Sequence, residues 1–324
     1  MDMSVSGQQA TRLPDFIIGG APKCGTTSLH FILGQNPEIG LPDEEIHYFD
    51  ADDPITHPDF LFAGQQGLSW FDARPAHADN YAWYASRFAP FQSVRRIGED
   101  STTYLFSEVA PARIKSLLPD VKLVFMLRDP VKRAYSQYWH LIRSARTSAT
   151  FEQAIIDHAS ILKGSTFAPH LRTYLKTFDP AQVRVVLFED FLADQQDTID
   201  SLTDFIDAPR MSLETAKTWF NRTLYPSRPG LQRLQNRVGK HIVARRYRTH
   251  MGEGSGQISP FWHKMHYRWF AYVAPLLLTR EKAPPMAEAT RAYLAQHLSA
   301  RNAGLSDLLD RDLSQVWKGF EGRG

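Results

Sequence analysis

The segment Gly20-Ala-Pro-Lys-Cys-Gly-Thr-Thr27 gathers what a multiply charged anion requires. Its glycines leave the backbone free to turn N–H groups toward a ligand. Lys23 brings a positive charge, and Thr26, Thr27 and Ser28 add hydroxyls at a helix start. A second set lies in Arg128-Asp-Pro-Val-Lys-Arg-Ala-Tyr-Ser136. Arg128 supplies a planar fork of donors, and Ser136 a single hydroxyl about two turns into the following helix. Two separate phosphate sites imply a nucleotide phosphorylated at both ends.

Rigid supports for these residues are written in the hydrophobic pattern. Asp15-Phe-Ile-Ile-Gly-Gly20 reads as a buried strand, the loop Ala21–Gly25 follows, and Leu29, Phe31, Ile32 and Leu33 continue as a helix that Gly34, Asn36 and Pro37 end. Val121–Leu127 is a second buried strand, so Arg128 falls at a strand's carboxyl end, where ligands bind in open α/β sheets. Asp129-Pro130 then provides a helix cap and first-turn proline. Val183–Phe188 is a third strand, with a helix expected around Thr198–Ile206. Strands alternating with helices predict a parallel sheet covered on both faces. Residues 51–93 read as irregular and aromatic, and 221–267, rich in Arg, Gly, Pro and Ser, as a long loop with an irregular helix. Ala287, Tyr293, Leu294, Leu298, Leu305, Leu308 and Leu309 have the spacing of one or two closing helices.

The first loop keeps the spacing of a nucleotide P-loop, but Thr26 occupies the slot after Gly25 where a Walker A motif carries lysine. The lysine sits inside the loop at Lys23. There it would meet the bridging oxygen between a 5′-phosphate and its leaving group. The missing Gly-Lys-Thr argues against a magnesium-dependent γ-phosphate site. Two rival readings remain at this level, a P-loop nucleotide kinase and a non-catalytic nucleotide-binding module.

Ala21-Pro-Lys-Cys-Gly-Thr-Thr-Ser-Leu29 resembles the 5′-phosphosulfate loop of sulfotransferases that use 3′-phosphoadenosine-5′-phosphosulfate (PAPS), and Leu127–His140 resembles their 3′-phosphate motif. The resemblance is to the branch containing bacterial and heparan sulfate sulfotransferases. Glu45-Ile-His-Tyr-Phe-Asp50 is similar to the segment that carries that branch's catalytic glutamate, and Ile97–Tyr104 to a strand motif that recurs in it. The family's basic residue just before the glutamate is Glu44 here, compatible with an acceptor less anionic than a sulfated polysaccharide.

The resemblance implies a P-loop-like α/β fold and transfer of a sulfuryl group from PAPS, without a metal, to a hydroxyl or amine of a small-molecule or carbohydrate acceptor. It implies cofactor contacts from Lys23, Cys24, Gly25, Thr26, Thr27, Ser28, Arg128 and Ser136. Lys23 is expected on the leaving oxygen, with Glu45 as general base and His47 as the rival base or an orienting group. Tyr225 and Arg228 fall where relatives place a loop closing over the adenine and 3′-phosphate. Cys24 is expected to be a small loop residue without redox duty. The aromatic stretch 70–91 is either an acceptor pocket or core, and the basic run Arg237, Lys240, Arg245, Arg246 and Arg248 is expected to be a solvated face rather than a surface for an anionic acceptor or a membrane.

With 324 residues and 43% hydrophobic composition the chain can bury a full core, and a net charge of +2 selects no partner by itself. A nucleic-acid partner is not expected. One cysteine, Cys24, permits no intramolecular disulfide and no cysteine-based structural zinc site. The N-terminus has no basic segment followed by an apolar run, and no stretch approaches the ~20 residues of a membrane span. The expectation is a flexible segment 1–14 and one cytoplasmic domain over 15–324, with C-terminal helices from about 260 packed on it.

Overall fold

The computed structural model describes residues 11–57, 61–64, 67–70, 81–213, 224–251, 260–280 and 282–320. The side chains of 61–64, 68–70, 244–251, 260, 262–263 and 280 lie outside that description. The strands are β1 (Phe16–Gly20), β2 (Ile39–Gly40), β3 (Leu61–Gly64), β4 (Gly67–Trp70), β5 (Arg96–Asp100), β6 (Lys122–Leu127), β7 (Val183–Leu187), β8 (Tyr225–Pro226) and β9 (Leu278–Arg280). The first seven helices are α1 (Thr26–Leu33), α2 (Tyr81–Ser86), α3 (Ala110–Leu117), α4 (Pro130–Arg143), α5 (Phe151–Asp157), α6 (Ser160–Lys163) and α7 (Ala168–Thr177). They are followed by α8 (Phe188–Ala193), α9 (Gln195–Phe205), α10 (Pro229–Met251), α11 (Pro260–Arg268), α12 (Glu288–Arg301) and α13 (Leu305–Leu308).

The expected parallel sheet is present. Its order is β2-β5-β1-β6-β7, and every pair is parallel. Every residue of β1 is buried, as are the last five of β6, so both faces of these strands are covered. Parallel pairing sends the chain out of β5, β1 and β6 at one edge. Residues 101–103, 21–25 and 128–129 therefore emerge side by side.

Local chemistry explains the well-read boundaries. Asp129 caps α4 by accepting from Val131 N (2.9 Å) and Lys132 N (3.1 Å), with Pro130 in the first turn. Gly25 precedes α1 with φ of 96°, a left-handed backbone that glycine adopts without steric cost.

Two readings need correction. Residues 51–93 are not wholly irregular: β3 and β4 form an antiparallel hairpin and α2 follows it. Residues 221–267 are not chiefly loop, because α10 alone is a 23-residue helix. Its inward face carries polar groups. Gln232 and Asn236 are buried and bonded to each other, and Asn236 Nδ2 donates to Ile142 O (2.7 Å) and Thr147 O (2.9 Å). Side-chain amides satisfying the carbonyls past α4 replace the apolar stripe by which a helix is normally recognised.

Leu294 and Leu298 of α12 pack with Val131, Tyr138 and Trp139 of α4. Trp317 is buried in the core around the sheet. Glu189 links two distant points: its Oε1 accepts from Asp129 N (3.1 Å) and its Oε2 from Trp317 Nε1 (3.0 Å). Among the described residues, no helix is long and apolar enough to cross a membrane. The proposed flexible segment falls mostly on residues 1–10, and much of the aromatic stretch on 71–80, both outside the described residues. The side chains of Arg245, Arg246 and Arg248 are likewise outside.

Candidate active site

The loop after β1 and the turn after β6 meet. Arg128 Nη1 donates to Lys23 O (3.4 Å), and Arg133 Nε donates to Pro22 O (3.0 Å). Lys23 itself has a left-handed φ of 70°, and its Nζ lies 3.2 Å from His140 Nδ1 on α4. Arg133, Ser136 and His140 are spaced three and four apart, so they share one helical stripe. The two outer members touch the first loop, which places half-buried Ser136 on the same face. The two anion motifs singled out in the sequence are thus brought together.

Positive charge is concentrated here. Burial, and then the charges of Arg143 and Arg133, lower the Lys23 ammonium to about 8, while Glu45 works in the opposite direction. Burial and the Lys23 charge lower His140 to about 3, so its imidazole is neutral and its Nδ1 accepts from the ammonium. Arg133 is buried, and its Nη1 donates to Ser160 O (3.2 Å) and Ile161 O (3.0 Å) of α6. Arg128 lies over the Phe188 ring at 4.7 Å. Arg128 Nε and Arg143 Nε are buried without a hydrogen-bond partner among the described residues.

Of the loop residues, Thr26 is buried, Ser28 half-buried and Thr27 exposed. The amides of Ser28 and Leu29 both donate to Gly25 O. Those of Gly25, Thr26 and Thr27 make no hydrogen bond among the described residues and are free to face an anion. Cys24 is buried among core side chains, and burial raises its thiol to about 12. Its amide donates to Ala21 O (3.2 Å), which leaves the residue shaping the loop from within.

Glu45 and His47 are placed by the end of β5. Ser101 Oγ accepts from Ile46 N (3.2 Å) and His47 N (2.9 Å) and donates to the buried Glu99 carboxylate (2.8 Å). Glu45 Oε2 lies 2.8 Å from His47 Nε2, and Thr102 Oγ1 donates to both Glu45 oxygens at 3.1 and 3.2 Å. Burial pushes the Glu45 carboxyl up, but the bonds from His47 and Thr102 outweigh it and leave it below its ordinary value. The Glu45 side chain is 42% exposed and the His47 side chain 9%, so only the carboxylate has open access to a reactant. Behind His47, Thr103 Oγ1 lies 2.9 Å from Nδ1 and donates to Asp50 Oδ2 (2.7 Å). Glu44 is paired with Arg87 at 3.3 Å on the surface.

The later candidates are less engaged. Tyr225 meets Trp139 of α4 edge-on, ring centroids 5.8 Å apart, and so stands near the stripe. Arg228 is exposed at the head of α10. A cavity of about 490 Å³ between α1 and β2 is lined by His30, Phe31, Ile39, Leu41, Asp43 and Phe91. None of the candidate site residues lines it, so it is a separate hollow. Sequence reasoning missed Thr102, Arg133 and His140 as individual actors. Each stands inside a motif already noticed, and only the pairing of distant segments gives it a task.

The chain matches the sulfotransferase family over residues 14–212. It is 27% identical over 256 residues to human heparan sulfate glucosamine 3-O-sulfotransferase 3B1, covering 76% of this chain and 58% of that protein. It is 28% identical over 217 residues to human bifunctional heparan sulfate N-deacetylase/N-sulfotransferase 2, covering 60% of this chain and 22% of that one. The chain therefore spans little more than half the length of the 3-O-sulfotransferase it matches. A sulfotransferase crystal structure from Alicyclobacillus acidocaldarius superposes with a TM-score of 0.55 at 24% identity, covering 94% of this chain and 98% of that one.

Proposed function

We propose that this chain, a member of the sulfotransferase family, transfers a sulfuryl group from PAPS to a hydroxyl or amine of a carbohydrate or small molecule. The observation that carries this reading is the meeting of the Lys23 loop, whose Gly25, Thr26 and Thr27 amides are unengaged among the described residues, with the Arg128 side chain from the end of a separate strand. A single nucleotide with phosphates at both ends would use both anchors. The carbohydrate class draws support from the heparan sulfate relatives.

In this reading the amides of Gly25 to Thr27 and the hydroxyls of Thr26, Thr27 and Ser28 hold the 5′-phosphosulfate. Arg128 and Ser136 hold the 3′-phosphate, and Tyr225 and Arg228 border the nucleotide from the 225–228 segment. Glu45 removes the proton of the acceptor group as its lone pair attacks sulfur. The bond from sulfur to the 5′-phosphate oxygen breaks, and adenosine 3′,5′-bisphosphate leaves. Negative charge grows on that oxygen, where the Lys23 ammonium neutralises it. His47 orients Glu45, consistent with its burial and its 2.8 Å contact. Held positions and fixed charge provide the acceleration, as in phosphoryl transfer.

The test is thermal-shift binding of adenosine 3′,5′-bisphosphate against ATP with magnesium, followed by labelled PAPS with a panel of acceptors. Stabilisation by the bisphosphate and transfer of label support the reading. Preference for ATP would favour a kinase, and binding without transfer to any acceptor a non-catalytic module.

A further inference from the structure

His47, which orients Glu45, also belongs to a buried cluster whose other members the proposed transfer does not use. His47, Asp50 and His57 are all buried, and one ligand atom from each lies within 4.8 Å of the other two. Asp50 Oδ1 is central to them, 3.0 Å from His57 Nε2 and 3.8 Å from His47 Nδ1. The two imidazoles stand edge to face, ring centroids 5.0 Å apart.

Two observations distinguish this cluster from an ordinary hydrogen-bonded core. Asp50 Oδ1 is buried without a hydrogen-bond partner among the described residues, although an imidazole nitrogen stands 3.0 Å away. The approach is close enough for a hydrogen bond, but its angles are not those of one. An unengaged carboxylate oxygen in the interior is costly unless something else meets it. The second observation concerns His47, whose other nitrogen, Nε2, is 2.8 Å from the Glu45 carboxylate. A metal-bound histidine characteristically donates its remaining N–H to a carboxylate, which fixes the ring and its tautomer.

The geometry points to a divalent transition-metal site of the zinc class, with His47 Nδ1, Asp50 Oδ1 and His57 Nε2 as ligands. Metal bonds of 2.0–2.2 Å in a tetrahedron set neighbouring ligand atoms about 3.3–3.6 Å apart; the two separations from Asp50 are 3.0 and 3.8 Å, all three atoms lie within 4.8 Å of one another, and a bound ion would draw them together. Two imidazoles with one carboxylate suit zinc and its neighbours rather than magnesium or calcium. Thr103 Oγ1, 2.9 Å from His47 Nδ1 and 3.4 Å from His57 Nε2, covers the fourth side, where it or a water completes the shell. The ion lies behind His47, away from Glu45, and touches no reacting atom. It holds the ring that holds the carboxylate.

Full-length protein, stripped with a chelator and dialysed, is titrated with Zn²⁺, and separately with Co²⁺ followed by its visible spectrum. The expected result is one zinc per chain and the absorption of four-coordinate cobalt. His57→Gln weakens zinc at least about tenfold, and Glu45→Gln, which alters only the outer carboxylate, about 10- to 100-fold. Bisphosphate-induced thermal stabilisation of His57→Gln shows that this variant is folded. Failure of the wild-type chain to bind zinc, or equal affinity in wild type and folded His57→Gln, overturns the proposal and leaves a purely hydrogen-bonded cluster. Because metal content is read without turnover, the outcome is independent of the donor and acceptor assignment.

Discussion

Lys23 Nζ lies 3.2 Å from His140 Nδ1, joining the loop after β1 to a residue three turns along α4. The histidine is held neutral, so its Nδ1 accepts a hydrogen bond from the ammonium without competing as a charge. The contact aims a flexible four-carbon side chain at one point, which lysine alone cannot achieve.

A lysine lowered to about 8 makes an alkaline limb observable. In the proposed mechanism the charged form is the active one, so kcat/KM should fall as pH rises through about 8, the free-enzyme value. The limb of kcat should lie higher, because a bound phosphosulfate favours the ammonium. Lys23→Ala should lose turnover by about 100-fold or more. A flat kcat/KM profile from pH 7 to 9.5 would contradict this role.

Removal of the carboxylate should cost more than removal of its partner. Glu45→Gln is expected to lower kcat by about 100- to 10,000-fold. His47→Ala should retain more activity, because Thr102 still holds Glu45. Steady-state kinetics of the two variants with one acceptor decides the order. The opposite ranking would make His47 the base.

Gly25→Ala should be severe. The left-handed backbone costs a non-glycine residue about 1–2 kcal/mol, and the new Cβ would stand 2.6 Å from the Phe188 ring. Denaturant unfolding should register a loss of about 2–4 kcal/mol, with weaker bisphosphate binding, since Phe188 also supports Arg128.

Gly164 is assigned no part in the proposed reaction, yet a Cβ there would collide with the Arg133 guanidinium nitrogens. Gly164→Ala is therefore expected to dislodge Arg133 and free Pro22 O. A folded protein with weakened nucleotide affinity is the predicted outcome, measured by calorimetric titration of adenosine bisphosphate. Unchanged affinity would show that Arg133 does not shape the loop.

Cys24 should be inert in the native protein, since its thiol is fully buried and raised to about 12. Iodoacetamide at pH 8 should label it only after unfolding, as read by intact mass. Labelling under native conditions would mean that the loop opens.

Features encoded by short segments were legible. Phe16–Gly20 and Lys122–Leu127 are apolar runs closed by glycine or by Arg-Asp-Pro, and their parallel neighbours bury both faces, so the pattern survives without structural context. The meeting of Lys23 and Arg128 followed from placing both at strand ends. What escaped depends on distant pairing. β2 is two residues long and exists through β5, and α10 hides its inward face behind Gln232 and Asn236. Thr102 and His140 acquire their tasks from residues 57 and 117 positions away. Arg133 stands in its motif with no sequence signal of its own, yet it is buried against three carbonyls.

Glu189 ties the far end of the fold mechanically to the proposed nucleotide anchor. One carboxylate grips the Asp129 amide, beside Arg128, and the Trp317 indole at once. Truncation ahead of Trp317 would therefore loosen a hinge pin under the mid-chain anchor, and nucleotide affinity would report damage inflicted far away in the chain.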